Sequence, residues 1–155
     1  SMGAVDSFLK LKSVRERATN RGLLGVRAAG QSGSNSAFNE VLFVECGFGC
    51  DQHGQNATKA AVRACRNAIE FNSLPGLRKL IPGGKQNMIV QVQLGVPGDA
   101  SEIDQEQIKK VFPYGQLQPI QIEKGGLIGK SGVALPELGD KNEDMIIVVA
   151  CITVG

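Results

Sequence analysis

The stretch VECGFGCDQHGQNATKAAVRACRNAIEFN, residues 44–72, decides the fold expected for this chain. It opens in an apolar segment that predicts a strand over 41–47, and a polar loop follows. An Ala-rich helix is predicted over 57–71, with Asn56 as N-cap because its side chain can accept a hydrogen bond from the first turn. The face expected to be buried follows the i, i+3, i+4 spacing of an amphipathic helix: Ala61, Ala64, Cys65, Ala68 and Ile69.

The remaining segments extend this unit into a β-α-β-α-β-β order. Residues 87–97 alternate apolar and polar side chains and predict a half-buried strand, and 99–112 predict a second helix. Residues 116–126 contain a proline and predict an edge or irregular strand. Residues 127–143 are expected to form a long loop, and the very hydrophobic segment 144–155 a central strand. The order predicts an α+β domain, a four-stranded sheet with two helices on one face.

Composition divides the chain into two parts. Residues 1–40 carry six Lys/Arg and three Asp/Glu, whereas 41–155 carry eleven and twelve. We therefore expect a basic N-terminal arm and linker over 1–40 and a single domain over 41–155. The near-neutral domain argues against nucleic-acid binding. No apolar run approaches the ~18–20 residues of a membrane span, so no membrane insertion is expected.

The basic segment 7–27 is poor in acidic residues, and 28–40 reads as a flexible linker. This region resembles the end of a plastid transit peptide, which implies a plastid stromal location. The alternatives are a cytoplasmic protein and an arm that packs on a neighbouring subunit.

The cysteines are expected to be free, reduced and buried, acting as small hydrophobic residues. Cys65 falls on the apolar helix face and Cys151 in the last strand. Cys46 and Cys50 lie near His53, but without a second ligand pair their spacing is a weak match to a zinc site. We expect no metal and no cofactor.

Three residues are candidate catalytic groups. His53 is the only histidine, and it can act as acid, base or ligand near neutral pH; the alternative is a loop histidine that bonds the helix start. Asp51 is a neighbouring carboxylate. Glu45 interrupts an apolar strand, and it could orient His53, serve as general base, or pair with Lys59 or Arg63 of another subunit.

The start of the predicted helix is a candidate anion site. Free N–H groups and the helix dipole attract anions, and Lys59 and Arg63 add positive charge. With Thr58 and Gln55, they are the residues expected to bind a ligand carboxylate or phosphate. The alternative is a solvated basic helix face.

Glycines mark two loops. Gly47, Gly49 and Gly54 do not have the spacing of a dinucleotide fingerprint and are interpreted as loop geometry. The segment 123–132 is a second Gly-rich loop, in which Lys124 and Gly125 could close over an anionic ligand as a lid. A surface hairpin is the alternative.

Several sequence blocks resemble a small family of conserved hypothetical proteins of bacteria and plants, first catalogued from Listeria. The resemblance spans 41–155 and rests on four blocks: FVECGFGCDQHGQNATKAAVRACRNAI, LPGL, VQLGVP and VFPYGQ. The family has no firmly assigned activity, so the resemblance supports the fold and not a reaction.

A more remote resemblance concerns the strand, Gly-containing loop and Ala-rich helix. It is similar to one repeat of the ring-opening cyclic amide hydrolases, whose Ser–Lys pairs have no clear match here, and to the organisation of trimeric chorismate mutase. A half-apolar open sheet face, with Ile89 beside Gln91 and Gln93, is also typical of an oligomer. We therefore expect a homo-oligomer, with a trimer favoured.

The functional hypothesis is an oligomeric small-molecule-binding protein, with catalysis left open. It would act on a small anionic or cyclic-amide metabolite at subunit interfaces. The alternative is a non-catalytic regulatory or structural oligomer.

Overall fold

A computed structural model of the chain describes residues 38–155, which belong to one compact unit. The basic arm and linker expected over 1–40 lie outside the described residues, apart from the last three. In the described part the strands are: β1 Phe43–Asp51, β2 Ile89–Val96, β3 Gln116–Leu117, β4 Gln121–Lys124, β5 Leu127–Lys130 and β6 Asp144–Val154. The α-helices are: α1 Ala57–Ile69, α2 Leu77–Leu80 and α3 Gln105–Lys109.

The strands form one mixed sheet with the order β1-β6-β2-β3. β6 is central, as predicted: it pairs antiparallel with β1 from Phe43↔Val154 to Asp51↔Ile146, and with β2 on its other side. The first residues of β6 pair with β5 beyond the end of β2, and β4 runs parallel to β2. The central position gives this most hydrophobic strand hydrogen-bonded neighbours along both of its edges.

The predicted count of four strands is wrong, since the sheet within residues 38–155 has six. Residues 116–126 form two short strands, β3 and β4, separated by a segment that contains Pro119, which cannot donate a ladder hydrogen bond. Residues 127–130, expected to lie in a long loop, form β5 against β6. This pairing depends on a strand distant in sequence, which local pattern does not reveal.

The second predicted helix, 99–112, is also shorter than expected. A 3₁₀ turn spans Ala100–Glu102 and α3 spans Gln105–Lys109, with Asp104 as its N-cap. Two further 3₁₀ turns span Gly84–Gln86 and Pro136–Leu138. No helix within residues 38–155 has the length and apolar character needed to cross a membrane.

Helix α1 packs directly on the backbone of β1. It begins as predicted after Asn56, whose side chain accepts a hydrogen bond from the Lys59 N–H. A Cβ on Gly49 would lie 2.3 Å from the backbone oxygen of Ala60, and one on Gly47 would lie 2.5 Å from that of Ala64. The interpretation of both glycines as loop residues is therefore wrong: they lie in β1, where the missing side chain permits close helix approach. Gly54, with φ +87°, is a loop residue as expected.

The two faces of the sheet have different environments. One is covered by helices and contains the core, built largely from β2, β6 and the alanine face of α1. The other, which we call the open face, carries even-numbered residues of β1, odd-numbered residues of β2 and β6, and Leu127 of β5, which pairs with Ile147. Its exposed large apolar side chains are: Val44 at 54%, Phe48 at 64%, Leu127 at 59% and Val149 at 45%.

The cysteines are free thiols, but the expectation that they are buried holds only for Cys65. Cys46 is exposed, and Cys50 and Cys151 are half-buried, because these three residues lie on the open face. Within residues 38–155 no group of three or more His, Cys, Asp or Glu side chains could hold a metal ion.

Candidate functional site

Asp51 ends β1 and is almost completely buried, with 1% of its surface exposed. Its Oδ2 accepts a hydrogen bond of 3.0 Å from the Asn56 N–H at the start of α1. Its Oδ1 lies 3.1 Å from Lys59 Nζ and 2.8 Å from Arg63 Nη1. A buried carboxylate needs such partners because it has lost its hydration.

The predicted anion site is therefore filled by the protein itself. Lys59 and Arg63 do converge beside the helix N-terminus, as the spacing predicted, but the anion between them is the Asp51 carboxylate. Arg63 also donates to the carbonyl of Cys50, which ties the helix to the edge of β1. This geometry gives all three side chains a structural role, and a ligand role for them stays a prediction.

Thr58 likewise forms hydrogen bonds within the protein. Its hydroxyl donates to the Glu102 carbonyl at 3.1 Å and accepts from the Asp104 N–H at 2.9 Å. The side chain is buried, so these bonds link the first turn of α1 to the start of α3.

His53 forms a dyad with Asp140. His53 Nδ1 lies 2.8 Å from Asp140 Oδ2, and the carboxylate also accepts from the N–H groups of Gly54 and Leu135, each at 2.8 Å. Those bonds, with Leu135 contributing most and His53 next, hold the pKa of Asp140 below its usual value. An ionised carboxylate can only accept, so Nδ1 carries the proton and the lone pair of neutral His53 is on Nε2.

Gln55 forms a second clamp between the same two loops. It adopts a positive φ of 45°, and its amide donates to the carbonyls of Gln52, Asn142 and Asp144. Its Oε1 accepts from the Lys141 N–H at 2.9 Å. The side chain predicted to bind a ligand thus holds the β1–α1 loop against residues 140–144.

Asp140 was missed by sequence reasoning. It lies 87 residues from His53 in the chain and follows Gly139, whose φ of 86° forms a turn. The Gly-Asp dipeptide signals a turn but not its distant partner.

Glu45 lies at the opposite end of β1 from Asp51, roughly 20 Å away at about 3.3 Å per residue. The expectation that Glu45 orients His53 is therefore wrong, because Asp140 does so and Glu45 bonds Asn72. Burial raises the pKa of Glu45, and the Asn72 hydrogen bond opposes that shift.

Glu45 faces a groove of about 250 Å³ between the end of α1 and the segment after α3. The groove is otherwise mainly apolar, and Asn72 and Tyr114 are its other polar side chains. The remaining lining is: Phe43, Ile69, Leu74, Leu77, Met88, Val90, Val111, Phe112, Pro113, Ile152 and Val154. Small-molecule sites commonly combine such a lining with a few polar groups.

Lys124 and Gly125 lie in the sheet or directly beside it, and not in the Gly-rich loop expected over 123–132. Lys124 ends β4, and Gly125 donates to the Val96 carbonyl at 3.0 Å as the chain turns into β5. β4 pairs with β2 and β5 pairs with β6, so the segment predicted as a loop lies largely in the sheet, and its two strands do not form a hairpin with each other. A lid role for Lys124 and Gly125 stays a prediction. Lys124 lines a second cavity, of about 630 Å³, together with open-face residues such as Cys46 and Cys151.

The predicted site residues thus separate into three places. His53, Asp51, Gln55, Thr58, Lys59 and Arg63 surround the start of α1, where hydrogen bonds within the protein occupy most of them. Glu45 faces the apolar groove, and Lys124 borders the open face.

A solved structure with a related sequence supports the α+β fold. The crystal structure of an FtsZ-like protein of unknown function from Nostoc punctiforme is 41% identical, with a TM-score of 0.64. The match covers 74% of this chain and 93% of that one. No curated protein matches the chain.

The family comparison agrees with the sequence blocks from which the resemblance was inferred. Residues 41–154 match the family described as "Conserved hypothetical protein (Lin0512_fam)". Neither match names a ring-opening amidohydrolase, and that resemblance stays a prediction. The chain therefore belongs to the Lin0512_fam family of conserved hypothetical proteins.

Proposed function

We propose that the protein binds a compact, largely apolar molecule that presents an N–H donor, with a cyclic amide as the ligand class, in the groove beside Glu45. The observation that carries this proposal is the Glu45 carboxyl, which faces a mainly apolar groove and has a pKa raised by burial. A strained or desolvated titratable group in a concave apolar site is a common mark of function.

The polar groups of the groove suit an amide. The Glu45 carboxylate is a hydrogen-bond acceptor, and the Asn72 amide is held in place by its bond to the Ala68 carbonyl at 2.7 Å. Tyr114 offers a phenol, and its ring has Lys85 Nζ 3.4 Å from its centroid. A volume of about 250 Å³ fits a single small ring better than an extended ligand.

Charge favours the cyclic amide over the anionic metabolite. Glu45 repels a ligand carboxylate or phosphate when it is ionised. The basic side chains expected to attract such a ligand, Lys59 and Arg63, are paired with Asp51 at the other end of β1. If the bound molecule is also converted, Glu45 is the general base of this proposal, because a raised pKa brings a carboxyl closer to the operating pH.

Ligand-observed NMR with hydantoin, succinimide and uracil tests the binding proposal. Glu45→Gln replaces the two acceptor oxygens of the carboxylate by a neutral amide. We expect the affinity to fall about tenfold or more, which corresponds to the free energy of one hydrogen bond to a charged group. Glu70→Gln is the matched control, an exposed carboxyl just after α1 that leaves the groove intact. Equal affinity of Glu45→Gln and the wild type, or no binding of any of the three rings, contradicts the proposal.

A second candidate function, a homo-oligomer that buries the open face, is favoured by the exposed apolar side chains there. Val44, Phe48, Leu127 and Val149 lie on one side of the sheet, and exposed apolar side chains gathered on one face favour an interaction site. A second copy is the partner of this proposal, and a trimer is the assembly that the remote resemblance implies.

Light scattering tests the assembly. A trimer has three times the chain mass of 16.4 kDa. Phe48→Asp places a charge on the open face and is expected to lower the mass to that of one chain. Phe71→Asp is the control, because Phe71 is 85% exposed but lies after α1, away from this face. A wild-type mass of 16.4 kDa refutes assembly.

A further inference from the structure

Cys46 and Cys151 are directly opposite each other on neighbouring strands. They are Cα partners in the β1–β6 register, and both side chains belong to the open face. Their thiols are within hydrogen-bonding contact. Neither residue takes part in the Glu45 groove, which lies on the helix-covered side of the sheet.

The backbone geometry at this pair suits a disulfide. Gly155 exchanges both backbone hydrogen bonds with Ile89 at the start of β2. The N–H and C=O groups of successive strand residues point to alternate sides, so those of Cys151, four residues before Gly155, also point toward β2. On β1, the Phe48 N–H bonds Asn67 on the outer edge, so the groups at Cys46 point away from β6. The pair is therefore a non-hydrogen-bonded one, for which Cα atoms lie about 4.5 Å apart. Disulfides span Cα separations of about 4.4–6.8 Å, so the bond can close without moving the strands.

The pair is also accessible. Cys46 is exposed, Cys151 is half-buried, and both line the cavity of about 630 Å³ on the open face. We propose that Cys46 and Cys151 are a modification site that forms a reversible intrachain disulfide by exchange with a low-molecular-weight disulfide of the glutathione class.

The exchange proceeds in two balanced steps. Cys46 loses its proton and its thiolate attacks one sulfur of the small disulfide, which forms a mixed disulfide and releases one small thiolate. Cys151 then loses its proton and attacks the Cys46 sulfur, which closes the intrachain bond and releases the second thiolate. The two protein thiols are oxidised, the small disulfide is reduced to two thiols, and the two protons end on those thiols.

The order of attack follows from the surroundings. Burial, and then the neighbouring Cys46, raise the pKa of Cys151, so the exposed Cys46 is the first nucleophile. Capping Cys46 in the mixed disulfide removes its negative charge, which favours ionisation of Cys151 for the second step.

The other cysteines do not fit this role. Cys50 is opposite Ile147, and it lies four residues from Cys46 on one strand, roughly 13 Å away and beyond disulfide reach. Cys65 has no exposed surface, and burial raises its pKa to about 12. Cys50→Ser is therefore the matched control for substitutions in the pair.

The experiment incubates the full chain with a mixture of oxidised and reduced glutathione, followed by acid quenching, alkylation, intact mass measurement and non-reducing peptide mapping. We expect the wild type to lose two hydrogen atoms, to link Cys46 to Cys151, and to keep Cys50 and Cys65 alkylatable. Cys50→Ser is expected to form the same bond. Cys151→Ser should stop at one glutathione attached to Cys46.

Three outcomes overturn the proposal: four alkylatable thiols in the oxidised wild type, a stable glutathione adduct on Cys46 without closure, or a disulfide between chains. The same reaction on Phe48→Asp separates this proposal from the assembly proposal. If copies cover the open face, oxidation is faster in Phe48→Asp, whereas a wild-type chain that is monomeric and still forms the bond refutes only the assembly.

Discussion

Arg63 Nη1 lies 2.8 Å from Asp51 Oδ1, so the end of β1 supplies the anion for which the start of α1 is suited. Lys59 contributes a second contact of 3.1 Å to the same oxygen. The strand, the loop and the helix are thereby joined at one carboxylate, which explains why a charged residue is buried at that point.

Replacing Asp51 by Ala should destabilise the fold. Removing one partner of a buried pair costs about 3–5 kcal/mol, but both cations here are about half exposed, so we expect about 1–3 kcal/mol from urea unfolding. Glu106→Ala is the control, because its pair with Lys109 lies on the surface and should contribute less than about 1 kcal/mol.

The same variant should acquire an anion site. Without the carboxylate, Lys59, Arg63 and the Asn56 N–H are free to bind inorganic phosphate. We expect phosphate to raise the thermal midpoint of Asp51→Ala relative to chloride at equal ionic strength, and to leave the wild type unchanged. The same phosphate response in both proteins would show that Asp51 does not fill the site.

Gly49→Ala should separate α1 from β1. The new Cβ would lie 2.3 Å from the Ala60 oxygen and the Ala64 nitrogen, and helix backbone cannot yield as a flexible side chain does. We expect a loss of about 3 kcal/mol or more in the free energy of unfolding, at the upper end of overpacking effects. Gly76→Ala is the control, because no atom lies within 4 Å of its Cβ and its φ is −69°. This change should be neutral or stabilise by about 0.4–1 kcal/mol.

Asp140→Asn should weaken the fold in a pH-dependent way. The pKa of Asp140 is lowered in the folded chain, so its contribution is complete above the unfolded value near 3.8 and is lost as the pH falls through the folded value. The stability difference between wild type and Asp140→Asn is therefore expected at neutral pH and should vanish in acid. Urea unfolding from pH 7 to pH 2 measures it, with Glu137→Gln as an exposed control in the same segment. A difference that persists unchanged at the acid end would contradict this role.

Glu45→Gln should change the stability at neutral pH in the opposite direction from Asp140→Asn. The pKa of Glu45 is raised on folding, so the ionised form costs stability above the folded pKa, and this cost is relieved as the pH falls toward the unfolded value near 4.5. We expect Glu45→Gln to be more stable than the wild type at neutral pH, with the gap closing in mild acid. The control Glu70→Gln should show no such change, and a gap that widens on acidification would rule out a desolvated Glu45.

Local patterns predicted much of the fold. The alanine stripe identified α1 and its Asn56 cap, and the alternation of 87–97 identified β2 as a half-buried strand. The split of 116–126, the strand β5 and the position of Gly49 inside β1 were not predicted, because each depends on contact with a segment far away in the chain.

The candidate site was predicted in composition but not in arrangement. His53, Asp51, Lys59 and Arg63 do gather around the start of α1, yet the partner of His53 is Asp140 and the anion of the basic pair is Asp51. Glu45 proved to be at the far end of the strand, where the apolar groove surrounds it.

The sequence by itself determined that α1, β2 and β6 form and which faces α1 and β2 bury, because side-chain periodicity follows from backbone geometry over a few residues. Only the tertiary structure decided which charge meets which carboxylate and that Cys46 lies opposite Cys151. Those relationships depend on distances across the sheet and between loops, and such distances are set by chain topology and not by the spacing of residues along the sequence.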